Sequence, residues 1–380
     1  MSQDFELVEE QETVKQRLHE FVTNKGEGKQ IIHFIAPAGT GKTYTLRALT
    51  KDLSLEGKKA TAVSFTGRAS AHLAKSGLPA STCHSILYTP ILDDDGDLVS
   101  WDKKDRNEIL EACGDVIIVD ESSMVPREIH DAFVDTGLPI IYTGDDQQLP
   151  SVSDDAFCVF DDDSKEKVAL TINHRTDPSL SGIISLSQHL REQNSIPRRK
   201  GAGLNIFPKA KAFTRRFYED NSFDVVICGM NKTRKMLNER IRSAMDLNSS
   251  EAVIGDRVVC LRNTIVAGEK IYNGELFEVV SLFENYDYNQ YTLRSLDFEQ
   301  KTVNVKISNT TWQTEQIHKG HKHLKPVQFA FGYALSCHKC QGSSFDNVLF
   351  IDEDVSFFLE QKKFRYTAVT RAALDLSVAI

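Results

Sequence analysis

The segment from Ala36 to Thr43 places two glycines, a lysine and a threonine between an apolar run and a helical pattern. Residues 30–36 are rich in isoleucine and predict a buried strand, and residues 43–53 predict a helix. Gly39 and Gly41 allow backbone N–H groups to turn inward around phosphates, and the helix N-terminus adds positive potential. The sequence therefore predicts a phosphate-binding loop and an α/β domain built around it.

Each position of this loop has an expected partner. Lys42 would reach the β- and γ-phosphates of a nucleotide, and the hydroxyl of Thr43 would bind Mg²⁺. The residues predicted to surround the phosphates are Pro37, Ala38, Gly39, Thr40, Gly41, Lys42 and Thr43.

A second acidic motif supports nucleotide hydrolysis. Four apolar residues, 116–119, predict a buried strand that ends in Asp120 and Glu121. Ligands of doubly wound sheets bind at the carboxyl ends of the strands. Asp120 would hold the Mg²⁺ shell, and Glu121 would orient and deprotonate the attacking water.

Alternation of apolar runs with helical patterns predicts two α/β lobes with parallel sheets. Residues 327–335 are predicted as one strand of the second lobe. Two segments interrupt the alternation. Residues 85–111 contain an Asp-Gly turn between short apolar arms and predict a hairpin, whereas residues 256–325 predict a small all-β insert.

Composition narrows the class of protein. The chain has 380 residues, 41% of them hydrophobic and 26% charged, which suits two or three domains with real cores. No apolar stretch approaches the roughly 18 residues of a membrane helix, and no signal peptide is evident. Seven scattered cysteines suit a reducing compartment, so we expect a cytoplasmic protein. The net charge of −9 leaves the partner open, because nucleic acid needs only a local positive groove.

Further motifs resemble those of superfamily 1 helicases and follow the same order along nearly the whole chain. They are Thr66–Ser70 (motif Ia), Gly144–Pro150 (motif III), Leu170–Arg175 (motif IV), His338–Asp346 (motif V) and Tyr366–Ala372 (motif VI). The set resembles the RecD/Dda group of superfamily 1B, and within it the compact Dda-type phage helicases.

This resemblance implies a domain organisation. Residues 1–84 and 112–176 would form the RecA-like domain 1A, and residues 85–111 the pin or wedge of domain 1B. Residues 177–255 and 326–380 would form the RecA-like domain 2A, with residues 256–325 as an SH3-like domain 2B.

The resemblance also assigns roles to matching residues. Gln148 would sense the γ-phosphate, and Arg175 and Arg371 would act as cationic stabilisers of the transferring phosphoryl group. Gln11 would recognise adenine, although a solvated helix position explains it almost as well, and Gln341 and Gly342 of motif V would contact ATP.

The DNA contacts implied by the resemblance lie in both lobes. Hydroxyls and lysines suit phosphate contacts, and a local helix cap or turn is an equal alternative for each. Leu98 and Trp101 are both candidates to stack on the first base pair. The predicted contacts are Thr66, Thr82, His84, Leu98, Trp101, Thr233, His338 and Lys339.

The leading hypothesis is an ATP- and Mg²⁺-dependent helicase, a monomer that moves 5′→3′ on single-stranded DNA and unwinds forked or tailed duplex. A single-strand-binding protein would be a partner, and replication or recombination the setting by analogy. An RNA helicase or remodeller, and a non-translocating ATP-gated binding protein, are the alternatives. Zinc at Cys337 and Cys340 with the histidines at 318, 321 and 323 is a competing site that lacks a second C-x-x-C pair.

Overall fold

The structure is a computed structural model that describes residues 6–24, 29–92, 98–151, 157–174, 178–198, 201–247, 249–285, 288–308, 312, 327–357 and 359–380. The chain divides into two compact units, Met1–Thr176 and Asp177–Ile380.

A parallel sheet forms the centre of the first unit. Its described strands follow the order β3-β2-β6-β7-β1-β8. The strands β1, β6 and β7 are buried at every position, and apart from His33, Asp120 and Thr143 their residues are isoleucine, valine and other mainly apolar types on both faces. The bounds are β1 Ile31–Ile35, β2 Ala60–Ser64, β3 Ala80–Thr82, β6 Val116–Asp120, β7 Ile140–Gly144 and β8 Glu166–Ala169.

Helices cover both faces of this sheet. One core packs α1 and α2 against it through residues such as Leu18 and Leu49, and another packs α4 to α6 through Ile109 and Phe133. The helices are α1 Glu9–Thr23, α2 Lys42–Leu55, α3 Gly67–Lys75, α4 Cys83–Leu87, α5 Arg106–Cys113 and α6 Arg127–Val134.

The predicted hairpin is present in the first unit. Strands β4 (Tyr88–Leu92) and β5 (Leu98–Lys103) pair antiparallel, with Trp101 opposite Pro90. The Asp-Gly turn predicted between them lies outside the described residues.

The second unit contains its own parallel sheet, with the described strands in the order β18-β10-β19-β20-β9. These strands are β9 Leu204–Phe207, β10 Val225–Cys228, β18 Ala334–Ser336, β19 Phe345–Ile351 and β20 Ala372–Ala379. The helices are α7 Ser181–Glu192, α8 Lys209–Ala212, α9 Arg215–Asp220, α10 Asn231–Ala244 and α11 Gln361–Val369.

An antiparallel sheet of order β16-β15-β14-β11-β17 and a hairpin β12-β13 complete the second unit. Tyr291, Trp312 and Phe329 lie in its core. Its strands are β11 Arg257–Cys260, β12 Thr264–Val266, β13 Glu269–Ile271, β14 Leu276–Phe283, β15 Tyr288–Ser295, β16 Thr302–Ser308 and β17 Phe329–Phe331.

The prediction of one strand over residues 327–335 is wrong. β17 pairs with β11 in the antiparallel sheet, whereas β18 pairs with β10 in the parallel sheet. Gly332 lies between them, where an added Cβ would approach Leu276 Cδ2 to 2.8 Å and the Val258 carbonyl carbon to 3.0 Å. The all-β region therefore extends past residue 325 to include β17.

Among the described residues, no helix combines the length and apolarity that crossing a membrane requires.

Candidate functional site

The predicted phosphate loop connects β1 to α2 at the carboxyl edge of the first sheet. Gly39 and Gly41 have φ values of 86° and 88°, which other residues rarely adopt. A Cβ on Gly41 would also collide with the side-chain amide of Gln11. The backbone conformation therefore favours glycine at position 41, and any other residue there would displace the side-chain amide of Gln11.

The carbonyl groups of this loop are occupied by hydrogen bonds from within the first unit. Thr40 Oγ1 donates to the Pro37 carbonyl at 2.8 Å, Asn173 Nδ2 to the Ala38 carbonyl at 3.3 Å and the His174 amide to the Gly39 carbonyl at 2.9 Å. Gln11 Nε2 donates to the Thr40 carbonyl at 3.2 Å, and Thr45 Oγ1 donates to the Gly41 carbonyl at 3.2 Å. With these carbonyls engaged and the helix α2 starting at Lys42, the loop suits an anion held by backbone amides.

Lys42 lies between the two carboxylates of the acidic motif. Its Nζ is 2.7 Å from Asp120 Oδ1 and 3.0 Å from Glu121 Oε1. Burial works to lower the pKa of Lys42, but the charges of Asp120 and Glu121 outweigh it and raise that pKa above its ordinary value. Burial, together with the charge of Glu121, raises the pKa of Asp120 against the opposing effect of Lys42. The structure thus places these three groups in contact, and their roles toward a nucleotide stay predictions.

Glu121 stands in a left-handed backbone conformation, with φ 51° and ψ 45°. Such a conformation costs about 1–3 kcal/mol for a residue other than glycine and is concentrated at functional sites. It turns the chain from β6 into the 3₁₀ turn Ser122–Met124, where Ser122 Oγ donates to the Val119 carbonyl at 2.6 Å. The left-handed conformation therefore places Glu121 at the strand end, beside Lys42.

Gln148 follows β7 and is only 5% exposed. Its Oε1 is buried and has no hydrogen-bond partner among the described residues. Leaving a buried acceptor unpaired costs about 1–3 kcal/mol, so a bound group that supplies a donor would stabilise it. The neighbouring Gly144 carbonyl accepts from the Ala36 amide at 2.7 Å, which fixes motif III against the start of the phosphate loop.

Thr43 and Asp120 offer the oxygen ligands that Mg²⁺ prefers. Thr43 is partly exposed in the first turn of α2, and its hydroxyl has no hydrogen bond to any residue in the described part of the chain. A hydroxyl and a carboxylate next to a phosphate loop fit this ion.

Gln11 lies in the first turn of α1 and is buried. Besides its bond to Thr40, its Oε1 accepts from the Val8 amide at 3.3 Å. The structure thus places this residue against the phosphate loop, and its contact with adenine stays a prediction.

Thr66 and Thr82 cap helices at the carboxyl ends of adjacent strands. Thr66 Oγ1 accepts from the Ala69 amide at 3.2 Å, and Thr82 Oγ1 accepts from the Ser85 amide at 3.1 Å. The capping alternative is therefore present at both positions. Each hydroxyl can still donate its hydrogen to another acceptor, so the DNA contact stays a prediction for both threonines.

His84 and Trp101 lie together, with ring centroids 5.3 Å apart. Phe65 and Tyr88 also contact His84, at centroid distances of 5.6 and 5.8 Å. Trp101 is 43% exposed. These rings form an aromatic surface at the base of the hairpin, and the side chain of Leu98 lies outside what the structure describes.

In the second unit, Thr233 is buried and its hydroxyl donates to Glu353 Oε1 at 2.5 Å. Glu353 Oε2 also accepts from the amides of Gly229 and Met230, at 2.7 and 3.1 Å. The hydrogen of Thr233 is thus used internally, so only the lone pairs of its oxygen are left for other contacts.

Motifs V and VI meet at Arg371. Its guanidinium is 4% exposed and donates to the carbonyls of Thr367 and Ser343 and to Thr370 Oγ1, each at 3.1 Å. His338 and Lys339 lie in the 3₁₀ turn after β18, followed by the buried Gln341 and by Gly342, whose φ is 72°.

Several predicted residues fall outside the described part of the chain. Arg175 and the histidines at 318, 321 and 323 are among them. Cys337 and Cys340 are buried free thiols, and burial raises the pKa of Cys337 above its ordinary value. Within the described ranges, no cluster of metal-ligating residues is found.

The residues that support the phosphate loop from outside the motif were not predicted from the sequence. Asn173 and His174 were seen only as part of motif IV, yet they donate to the loop carbonyls. Glu10 accepts from Thr171 and Ile172, and its position next to Gln11 was the signal that could have identified it.

A family model described as an AAA domain matches residues 9–201. The chain belongs to this AAA domain family. A model described as a UvrD-like helicase C-terminal domain matches residues 331–379 of the same chain. The two matches fall on the phosphate-loop unit and on motifs V and VI.

A curated relative of this AAA domain protein is ATP-dependent DNA helicase PIF3 of Trypanosoma brucei brucei, 30% identical over 124 residues. The match covers 30% of this chain and spans only 14% of the length of that relative.

Two solved structures show the fold. Pif1 helicase from Bacteroides, in complex with ADP-AlF3 and single-stranded DNA, is 19% identical with a TM-score of 0.62, covering 99% of this chain and 92% of that one. Pif1 helicase from Candida albicans is 16% identical with a TM-score of 0.56, covering 99% and 94%. The predicted α/β fold with RecA-like parallel sheets is confirmed, whereas the SH3-like character of the insert stays a prediction.

Proposed function

We propose that this AAA domain protein is an ATP-dependent DNA helicase that moves 5′→3′ along single-stranded DNA and unwinds duplex. The observation that carries the proposal is the contact of Lys42 with both Asp120 and Glu121 beside a phosphate loop whose carbonyls are engaged elsewhere. This arrangement suits hydrolysis of a nucleotide, because a cation, a metal-binding carboxylate and a base meet at one point.

In the proposed reaction, Lys42 leaves the carboxylates and binds the β- and γ-phosphates. Glu121 then orients the attacking water and takes its proton. Thr43 and Asp120 would hold Mg²⁺, which neutralises charge on the phosphates when bound. Gln148, whose Oε1 is buried and unpaired in the described residues, would accept a hydrogen bond from the attacking water.

The remaining nucleotide contacts of this proposal rest on the motif resemblance. Arg175 and Arg371 would stabilise charge in the transition state. The three hydrogen bonds of Arg371 support this role, since they use three of its five N–H groups and hold the guanidinium in one orientation. Gln11 would recognise adenine, and Gln341 and Gly342 would complete the ATP contacts.

The DNA contacts are proposed for Thr66, Thr82, His84, Leu98, Trp101, Thr233, His338 and Lys339. The exposed Trp101 beside His84 supports base stacking at the hairpin, and the capping threonines keep hydrogens for phosphate oxygens. A structure of Bacteroides Pif1 is described as bound to single-stranded DNA, and another Pif1 structure is described as the basis for unwinding at forked duplex DNA by two coordinating helicases. We propose that this chain binds both single-stranded and forked DNA.

Finer assignments rest on the motif resemblance and on composition. They are kinship with the compact Dda-type phage helicases, the division into domains 1A, 1B, 2A and 2B, action as a monomer with a single-strand-binding protein as partner, and a cytoplasmic location.

The test compares unwinding of duplexes that carry a 5′ or a 3′ single-stranded tail, with Lys42→Ala as the control. We expect unwinding of the 5′-tailed duplex only, and none with the control. Preference for the 3′ tail would overturn the polarity. ATP turnover that single-stranded RNA stimulates more than DNA would favour an RNA helicase.

A further inference from the structure

Residues 171–174, here named the brace segment, run alongside the phosphate loop in the first unit. The preceding strand β8 pairs with β1, and the Leu170 amide donates to the Ile35 carbonyl at 3.0 Å. At its far end the brace segment donates to the loop through Asn173 and His174. Arg175 follows directly in the sequence.

Little apolar packing holds the brace segment. The side chain of Ile172 is 52% exposed, and Thr171 and His174 are exposed as well. A segment with few buried contacts takes its conformation from its hydrogen bonds, so the partners of those bonds determine where it lies.

One side chain accounts for the hydrogen bonds of its first half. Glu10 Oε1 accepts from the Thr171 amide at 2.8 Å and from Thr171 Oγ1 at 2.6 Å, and Oε2 accepts from the Ile172 amide at 3.1 Å. Burial works to raise the pKa of Glu10, but these hydrogen bonds outweigh it and lower that pKa. The group is therefore an anion at neutral pH and a strong acceptor.

Glu10 and Gln11 are neighbours in the first turn of α1, and they hold different targets. Gln11 bonds to the phosphate loop, whereas Glu10 bonds to the brace segment. One helical turn thus fixes the phosphate loop and the brace segment with respect to each other.

We propose that Glu10 is a positioning residue for ATP hydrolysis, which acts by holding the brace segment so that Asn173 and His174 keep the phosphate loop in one conformation. The proposal rests on the helicase function proposed above. Loss of Glu10 leaves Gly39, Gly41 and the Gln11 contact in place, so ATP binding is largely kept. The rate of hydrolysis falls more, because backbone amides stabilise the charge of the transition state only when their placement is fixed in advance.

The experiment measures single-stranded DNA-stimulated ATP turnover of the full chain and its variants. Glu10→Ala is expected to lower kcat by about tenfold and to change KM for ATP by less than about threefold, as loss of a transition-state contact does. Glu10→Gln keeps Oε1 as an acceptor and should fall between Glu10→Ala and the wild type. The matched control is Glu9→Ala, which removes an exposed acid from the same helical turn.

A double-mutant cycle tests the contact itself. Thr171→Val removes one of the three hydrogen bonds and should lower kcat by a few fold in the wild type and not at all in the Glu10→Ala background. Additive losses, or a Glu10→Ala variant with the kcat of Glu9→Ala, would overturn the proposal.

Hydrogen exchange separates this inference from the proposed function. The amides of Thr171 and Ile172 should exchange faster in Glu10→Ala than in Glu9→Ala, whether or not the protein hydrolyses ATP. Unchanged exchange would show that Glu10 does not hold the segment. Absence of turnover in the wild type with any nucleic acid, with the exchange difference present, would instead contradict the helicase function and leave Glu10 without a reaction to position.

Discussion

The ammonium of Lys42 lies 2.7 Å from Asp120 and 3.0 Å from Glu121, so one cation is shared by a buried and a partly buried carboxylate at the edge of the first sheet. Removing Lys42 would leave both carboxylates without their cation, which is costly for the buried Asp120. The three residues to which nucleotide roles are assigned in the proposal therefore also depend on one another. A substitution at any of the three positions is therefore expected to change nucleotide binding, ATP turnover and stability together.

Glu121→Gln tests the base without changing the shape of the side chain. We expect ATP turnover to fall by at least about a hundredfold, since a general base contributes roughly 10²–10⁴ in rate. Binding of ATP should be retained or tightened, because the amide removes one negative charge near the phosphates. Turnover assays and equilibrium binding of a fluorescent nucleotide check both outcomes, with Glu128→Gln on α6 as the control. Turnover within a few fold of the wild type would rule out Glu121 as the base.

Arg371 provides the test of motif VI. Its hydrogen bonds to Thr367, Ser343 and Thr370 join motifs V and VI inside the second unit. Arg371→Ala should lower ATP turnover by about 10³-fold or more, as loss of an arginine finger does. It should also lower the free energy of unfolding by about 1–3 kcal/mol, because buried carbonyls lose their donors.

Arg371→Lys separates the two effects of that substitution. It keeps the charge but not the planar set of donors, so turnover should stay low while part of the stability returns. Turnover and chemical denaturation of both variants give the comparison. Full turnover in Arg371→Lys would show that charge alone suffices.

Strands buried on both faces are among those that the sequence predicts from an apolar run. β1 and β6 consist almost entirely of apolar residues because helices cover each side of the sheet, and only His33 and Asp120 interrupt the pattern. The edge strand β8 was missed because its positions alternate between partly buried and exposed, and Glu166 and Lys167 interrupt the apolar pattern. Short edge strands such as β3 carry even less signal.

The residues of the candidate site were predicted only where they are contiguous in the sequence. The phosphate loop and the Asp120-Glu121 pair were predicted because each is contiguous and each follows a buried strand. The contact of Glu10 with Thr171 joins residues 161 positions apart, and no local pattern encodes it. The division of residues 327–335 between two sheets also depends on partners distant in sequence, β11 and β10.

Trp101 offers a direct signal of DNA binding. The chain has two tryptophans, and Trp312 is buried at the core of the antiparallel sheet. In a Trp312→Phe background, single-stranded DNA should quench the fluorescence of Trp101 as a base stacks on it. Trp101→Ala should raise the Kd for single-stranded DNA by about 5–100-fold, and Trp101→Phe should raise it much less, because stacking contributes about 1–3 kcal/mol per base. An unchanged Kd in Trp101→Ala would exclude the hairpin base from the DNA path.

His33 should make the stability of the first unit depend on pH. It lies in β1, its Nδ1 is buried without a hydrogen-bond partner among the described residues, and its ring packs edge-on against Tyr142 and Phe160. Burial and the charge of Lys167 lower its pKa to about 4. Between pH 6.5 and 4 the unfolded chain binds a proton at this position and the folded chain does not, so stability is lost as the pH falls through this range.

The free energy of unfolding that is lost through His33 amounts to at most about 3 kcal/mol, because a difference of one pKa unit corresponds to about 1.4 kcal/mol. His33→Leu should remove that part of the pH dependence, whereas His19→Gln on the surface of α1 should leave it in place. Urea denaturation of each protein at a series of pH values from 7 down to 4 measures how its free energy of unfolding depends on pH. If His33→Leu and the wild type lose stability in parallel as the medium is acidified, the neutral imidazole is not the group that responds. In that case the loss comes from another imidazole whose pKa burial lowers, such as that of His130 on α6.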